Sequence, residues 1–179
     1  MSNFEFTGIN HLALVCEDMD RTVEFYQGVL GMPLTKTIEL GEGHGKHYFF
    51  DCGGGDQLAF FWFPGGPDSV DAKTHRQITA TPGTMNHVAF NVASEKLDSY
   101  RERLVELGIG CTEVVNHDDS KTGVSKGISP STFVRSIYFK DPDGTQLEFA
   151  SWARELDEHD VQFRSVSEQQ DEKQTLEKA

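Results

Sequence analysis

Two stretches of the chain carry the same pattern of apolar and polar positions. Ile9-Asn10-His11-Leu12-Ala13-Leu14-Val15 and Met85-Asn86-His87-Val88-Ala89-Phe90-Asn91 are short runs of β-branched and apolar residues, and each predicts a strand. A helical period follows both. Asp18 or Asp20 can cap the first helix, which places Val23, Tyr26, Val29 and Leu30 on one face and stops at Gly31 and Pro33. Ser94 can cap the second, with Leu97, Tyr100, Leu104 and Leu107 on one face and a stop at Gly108. Both helices are amphipathic and must lie against a sheet.

Three strands are predicted after each helix, roughly Pro33 to Glu39, Lys46 to Cys52 and Gln57 to Phe63, then Cys111 to Asn116, Phe133 to Lys140 and Gln146 to Ser151. The last hairpins align without gaps, Phe50 to Phe60 on Phe139 to Phe149, with Gly-rich and Asp-Pro-Asp-Gly turns at matching places. The chain is thus an α+β protein of two βαβββ modules, about 7–63 and 85–151, expected to form one cup-shaped mixed sheet with its helices outside. Pro64 to Thr84 is long and unpatterned and predicts a linker or lid.

Alternation along the strands assigns faces. Leu12 and Leu14 suit the first helix, which leaves His11 on the opposite, concave side. Val88, Phe90 and Val92 suit the second helix, so His87 and Ala89 face away from it. On the last strand Leu147 and Phe149 go to the core and Glu148 joins the histidines. His11, His87 and Glu148 therefore predict a divalent-metal site, with Ala59 at the first-module position that corresponds to Glu148. Phe49, Phe61, Phe63 and Tyr138 are placed on the same concave side; for Phe61 and Phe63 plain packing is an equal alternative. His47 alternates with Phe49 and is the candidate acid–base group. His44, His75 and His117 fall in predicted loops from which they could reach the mouth of the cup, with a surface position the default. The loop from Asp118 to Thr132 reads as a flap over a ligand or as a mobile hairpin connection.

Composition changes this picture little. At 179 residues, 37% hydrophobic and 25% charged, the chain suits one globular unit, and its net charge of −13 argues against nucleic acid and anionic membrane as partners. The segment 152–179 carries eight acidic residues against four basic ones and predicts an acidic tail, in part a docked short helix. Three widely spaced cysteines, and no signal-like or membrane-spanning run, point to the cytoplasm.

With those residues in place, the sequence resembles the vicinal oxygen chelate superfamily of glyoxalases, extradiol dioxygenases, fosfomycin-resistance transferases and bleomycin-binding proteins. The resemblance covers about residues 7 to 151 and implies a cup whose metal ligands come from the first and last strands of the modules, again His11, His87 and Glu148. Ala59 departs from the four-ligand pattern of glyoxalase I. Ile137 to Gly144 followed by Glu148 resembles the extradiol signature, in which Tyr138 would donate to a metal-bound substrate oxygen. Ser129-Pro130-Ser131 stands where that signature has a histidine, and Asp56 and Gln57 where those enzymes have an acid–base histidine. The expectation is an Fe(II) ring-cleaving dioxygenase using O₂ on a catechol-like compound in aromatic catabolism. Mn(II), Ni(II) and Zn(II) are alternative ions. Two other readings stay open: an oxygen-independent lyase, isomerase or thiol transferase, and a non-catalytic small-molecule binder. The resemblance also implies a homodimer, a common state among related proteins.

Overall fold

The computed structural model describes residues 4–161. The first module contains β1 (His11–Val15), a helix α1 (Met19–Val23) that continues as a π-helix (Glu24–Val29), β2 (Leu34–Leu40), β3 (Gly45–Gly53) and β4 (Asp56–Trp62). A connecting helix α2 (Ala72–Thr79) follows. The second module contains β5 (Val88–Asn91), a 3₁₀ turn (Ser94–Lys96) leading into α3 (Leu97–Glu106), β6 (Val115–Asp118), a two-residue β7 (Val124–Ser125), β8 (Thr132–Lys140) and β9 (Gln146–Trp152).

The α+β architecture of two βαβββ modules is as expected, but the strands form two sheets and not one continuous cup. Their orders are β1-β4-β3-β2 and β5-β9-β8-β6-β7, with β1 and β5 each parallel to the last long strand of its own module. The repeat is exact in register where it matters. Ala13 pairs with Ala59 as Ala89 pairs with Glu148.

Local sequence explains most of these elements. Asp18 accepts from the backbone N–H groups of Asp20 and Arg21 at 2.9 and 3.1 Å, so it, and not Asp20, is the first cap. Ser94 does not cap its helix. It lies inside the 3₁₀ turn, and its hydroxyl accepts from Arg135 at 3.3 Å. The linker expectation missed α2, whose start is a regular Asp cap: Asp71 accepts from the N–H groups of Lys73 and Thr74 at 2.8 and 3.1 Å. Gly45 opens β3 with φ +135°, and a Cβ there would sit 2.0 Å from the Trp62 carbonyl oxygen, so only glycine allows the strands to approach.

The helix-bearing sides of both sheets share one hydrophobic cluster. Tyr26, Phe50, Leu58 and Phe60 come from the first module, and Phe90, Leu97, Leu104, Ile137, Phe139 and Leu147 from the second. Tyr26 is fully buried and donates to Asp141 Oδ2 at 3.0 Å, joining the first helix to the β8–β9 turn. Asp141 Oδ1 meanwhile accepts from the N–H groups of Asp143 and Thr145 at 3.0 and 2.7 Å. Burial raises the Tyr26 phenol well above its usual range, helped by the Asp141 charge, so this link stays protonated. Arg21 pairs with both Glu17 and Asp143, and Ser69 of the linker bonds to the same two carboxylates at 3.2 and 3.0 Å.

Beyond β9, Arg154 binds Asp160 and Asp119 beside a 3₁₀ turn (Glu158–Asp160). The rest of the acidic tail lies outside the described residues. The three cysteines are free, with Cys16 buried and the other two half-buried. No helix among the described residues is long and apolar enough to cross a membrane.

Candidate metal centre

His87 stands immediately before β5, and Glu148 lies on β9, between β5 and β8 in the sheet. His87 Nε2 is 3.0 Å from Glu148 Oε2. Two donors held about 2.1 Å from one ion at right angles lie about 3.0 Å apart, so this pair is already spaced as adjacent ligands of an octahedral ion. Glu148 is only 5% exposed. A carboxylate so far from water needs partners, and His87 and the Tyr138 hydroxyl supply them.

The tautomer of His87 is also set. Its Nδ1 lies 2.7 Å from Asn86 Oδ1, an amide oxygen that can only accept, so Nδ1 carries a proton and Nε2 is the nitrogen left for a metal, which would displace any proton shared with Glu148. Asn10 does the same for His11, again at 2.7 Å. The Asn-His pair recurs in both modules with identical geometry, which is how a structure prepares an imidazole ligand. Replacing Asn86 with Ala is expected to weaken metal affinity 10- to 100-fold, on the order seen for such supporting residues, in a competition titration against a chromophoric chelator. Unchanged affinity would show that the amide does not set the tautomer.

His87 and Glu148 open onto a cavity of about 400 Å³ whose walls include His117, Phe133, Tyr138 and Trp152. No lysine or arginine lines it. Tyr138 faces the cavity as its strand alternation predicts, directly across from Glu148 in the β8–β9 register. Burial, and then the Glu148 charge, raise its phenol, with a smaller opposing effect from Ser136, so it remains a hydrogen-bond donor.

His11 does not join this pair. Among the described residues no group of three His, Cys, Asp or Glu side chains is placed to hold an ion. The expected trio is thus two residues in one half-cup and a third in the other. His11 instead shares the concave side of the first sheet with Phe49, at 5.6 Å between ring centroids. His47 stacks on Phe61 at 3.6 Å and contacts Phe49 at 4.4 Å, and Phe61 stacks on Phe63 at 5.8 Å. Burial, then the nearby His11, lowers the His47 pKa, and its buried Nε2 has no hydrogen-bond partner. The concave aromatic placement is therefore as read, but His47 lies with His11 and away from Tyr138.

Sequence reasoning missed two features. The Asn before each histidine stood in the quoted repeat without a role. His117 was assigned to a loop, yet it lies on β6 and its Nε2 is 3.0 Å from Tyr138 Oη. The predicted strand ended one residue short of it, although Val114-Val115-Asn116-His117 continues the β pattern.

Comparison with known proteins agrees with this geometry. The model of the Glyoxalase/Bleomycin resistance protein/Dioxygenase superfamily matches residues 8–149. Metallothiol transferase FosB of Shouchella clausii (strain KSM-K16) is 33% identical over 79% of this chain and 77% of its own length. MhqE of Bacillus subtilis (strain 168), assigned by name to the ring-cleaving dioxygenases, is 29% identical over 59% of this chain but only 33% of its own length. Among solved structures, a glyoxylase/bleomycin resistance protein/dioxygenase domain from Frankia sp. EAN1pec has a TM-score of 0.62 at 21% identity, covering 88% of this chain and 100% of that one. Fosfomycin resistance protein FosX of Listeria monocytogenes, complexed with Mn(II) and a dihydroxypropylphosphonic acid, has a TM-score of 0.53 at 23% identity, covering 83% and 95%. Repeat, register and family match converge: the chain belongs to the Glyoxalase/Bleomycin resistance protein/Dioxygenase superfamily.

Proposed function

We propose that this chain is a divalent-metal enzyme of the oxygen-independent, thiol-transferring kind, acting on a mostly apolar small molecule that offers two adjacent oxygens. The metal half of the reading is carried by the His87–Glu148 pair at 3.0 Å, with both Asn-His pairs engaging Nδ1 and so making Nε2 the nitrogen that would coordinate. The thiol half is supported by the similarity to metallothiol transferase FosB over most of both chains. The substrate class follows from the cavity wall, where Phe133 and Trp152 offer apolar surface and no cation awaits a phosphonate.

His87, Glu148 and His11 would hold the ion, and the third ligand comes from a second copy of the chain. Three observations support that assembly. No trio forms within one chain among the described residues. His11 has the same Asn-locked ring as His87. Ile9 and Val15, which flank it on its own face, are 66% and 62% exposed, and Phe63 and Trp152 leave further apolar surface open on the two half-cups. Joining the first module of one copy to the second module of another covers that surface and completes the cup.

The bound ion supplies Lewis acidity to the substrate oxygens. In the step itself, sulfur forms a bond to carbon while a C–O bond breaks, and the electron pair goes to that oxygen, which takes up the thiol proton. Tyr138 is placed to donate a hydrogen bond to the oxygen as its charge grows. Phe133 and Trp152 exclude water beside it.

The aromatic second-module half-cup, lined by no lysine or arginine, also favours a second reading, ring cleavage of a catechol with Fe(II) and O₂. The two separate cleanly. Mn(II)-loaded protein under strict anaerobiosis is expected to open epoxides that carry a neighbouring carbonyl or hydroxyl oxygen, giving thiol adducts detected by mass spectrometry. Oxygen uptake matched to ring-cleaved product, with no adduct from any thiol, would overturn the first reading in favour of the second.

A further inference from the structure

We propose that His117 is a positioning residue: from β6 it donates its Nε2–H to Tyr138 Oη and so turns the phenolic proton into the cavity, toward an oxygen of the substrate. The bond is 3.0 Å long, and the two rings stand at 89°. His117 pairs with Val134 of β8, the strand that also carries Tyr138, so the β6–β8 ladder fixes the two side chains relative to one another. Both side chains line the cavity that holds His87 and Glu148.

The direction of the bond follows from what else faces the phenol. Tyr138 and Glu148 are register partners on β8 and β9, and both line the cavity. An ionised carboxylate only accepts hydrogen bonds, and so do the oxygens of a chelating substrate. If the imidazole took the phenolic proton, Oη would turn only lone pairs toward these acceptors. With Nε2–H as the donor, the phenol keeps its proton for them, and every partner is matched. Phe133, whose ring centroid is 6.4 Å from that of His117, walls the imidazole on another side. That the freed proton meets a substrate rests on the metal-enzyme reading; the direction of the bond does not.

The direction is tested on the zinc-loaded full chain by long-range ¹H–¹⁵N correlation NMR. The expected result is a protonated Nε2 on His117 whose shift moves in Tyr138→Phe. A His117 protonated only at Nδ1, or one indifferent to Tyr138→Phe, overturns the proposal. The role is tested by titrating the same protein with 4-nitrocatechol, a coloured oxygen chelator. His117→Ala and Tyr138→Phe are each expected to weaken binding by about tenfold, as for one lost hydrogen bond, with metal content unchanged. The double variant should be no weaker than either single one, and His117→Gln, which keeps an N–H donor near the Nε2 position, should recover most of the loss. Additive losses, or no recovery by Gln, overturn the positioning role. If wild-type zinc protein fails to bind 4-nitrocatechol, the functional reading fails, and the tautomer alone decides this proposal.

Discussion

Glu148→Ala is expected to lower metal affinity by more than about 100-fold and to take turnover below detection while the protein stays folded. Loss of a residue that merely supports a ligand costs about 10- to 100-fold, so loss of a ligand costs more. Glu148 is 5% exposed and held between β5 and β8, opposite Ala89 and Tyr138, so no neighbouring carboxylate can swing in to replace it. The fold should tolerate the change because the shared core is made by Leu147 and Phe149 on the other face of the same strand. His87, left behind, is half-exposed and can turn to water. Glu148→Gln keeps the volume and one oxygen but removes the charge, and the same loss is expected. Metal per chain by elemental mass spectrometry, with a thermal melt alongside, checks both halves. Full occupancy in either variant would remove Glu148 from the site.

The parts legible in the sequence were those that depend on period and local chemistry. The alignment of Phe50–Phe60 on Phe139–Phe149 predicted equivalent strands, and the pairing of Ala13 with Ala59 and Ala89 with Glu148 is that equivalence in register. Alternation placed Leu147 in the core and Glu148 on the opposite face, because a strand has only two faces to offer. Elements fixed by distant contacts were harder. The strand expected from Cys111 to Asn116 reaches the sheet as a single bridge from Cys111 to Phe139 and then as β6 from Val115 to Asp118, since β8 and not its own propensity sets its register. His117 therefore reached the cavity from a strand and not from a loop. The helix α2 was hidden in a polar segment with little apolar period to announce it, and only Asp71 marked its start. His11 shows the limit of face arguments. Period two says which side of its own sheet a residue occupies, and nothing local says which other sheet that side will meet. Two concave faces were read as one cup, whereas the shared core joins the modules through their helix-bearing sides.

The trans arrangement of His11 is the central claim, and two inactive variants test it most directly. One chain carries His11→Ala and the other Glu148→Ala, so neither homodimer holds a complete ligand set. In a heterodimer with the site built across copies, the Glu148→Ala chain still supplies His11 to the intact His87 and Glu148 of its partner. One of the two sites is whole. In a heterodimer with the site built within each chain, both sites lack a ligand. Coexpression with two different tags and sequential affinity purification isolates the heterodimer for Mn(II) titration. About one tightly bound ion is expected per heterodimer and none in either homodimer, since loss of any ligand removes more than about 100-fold in affinity. A heterodimer as empty as its parents, or a chain that remains monomeric while binding metal, would contradict it.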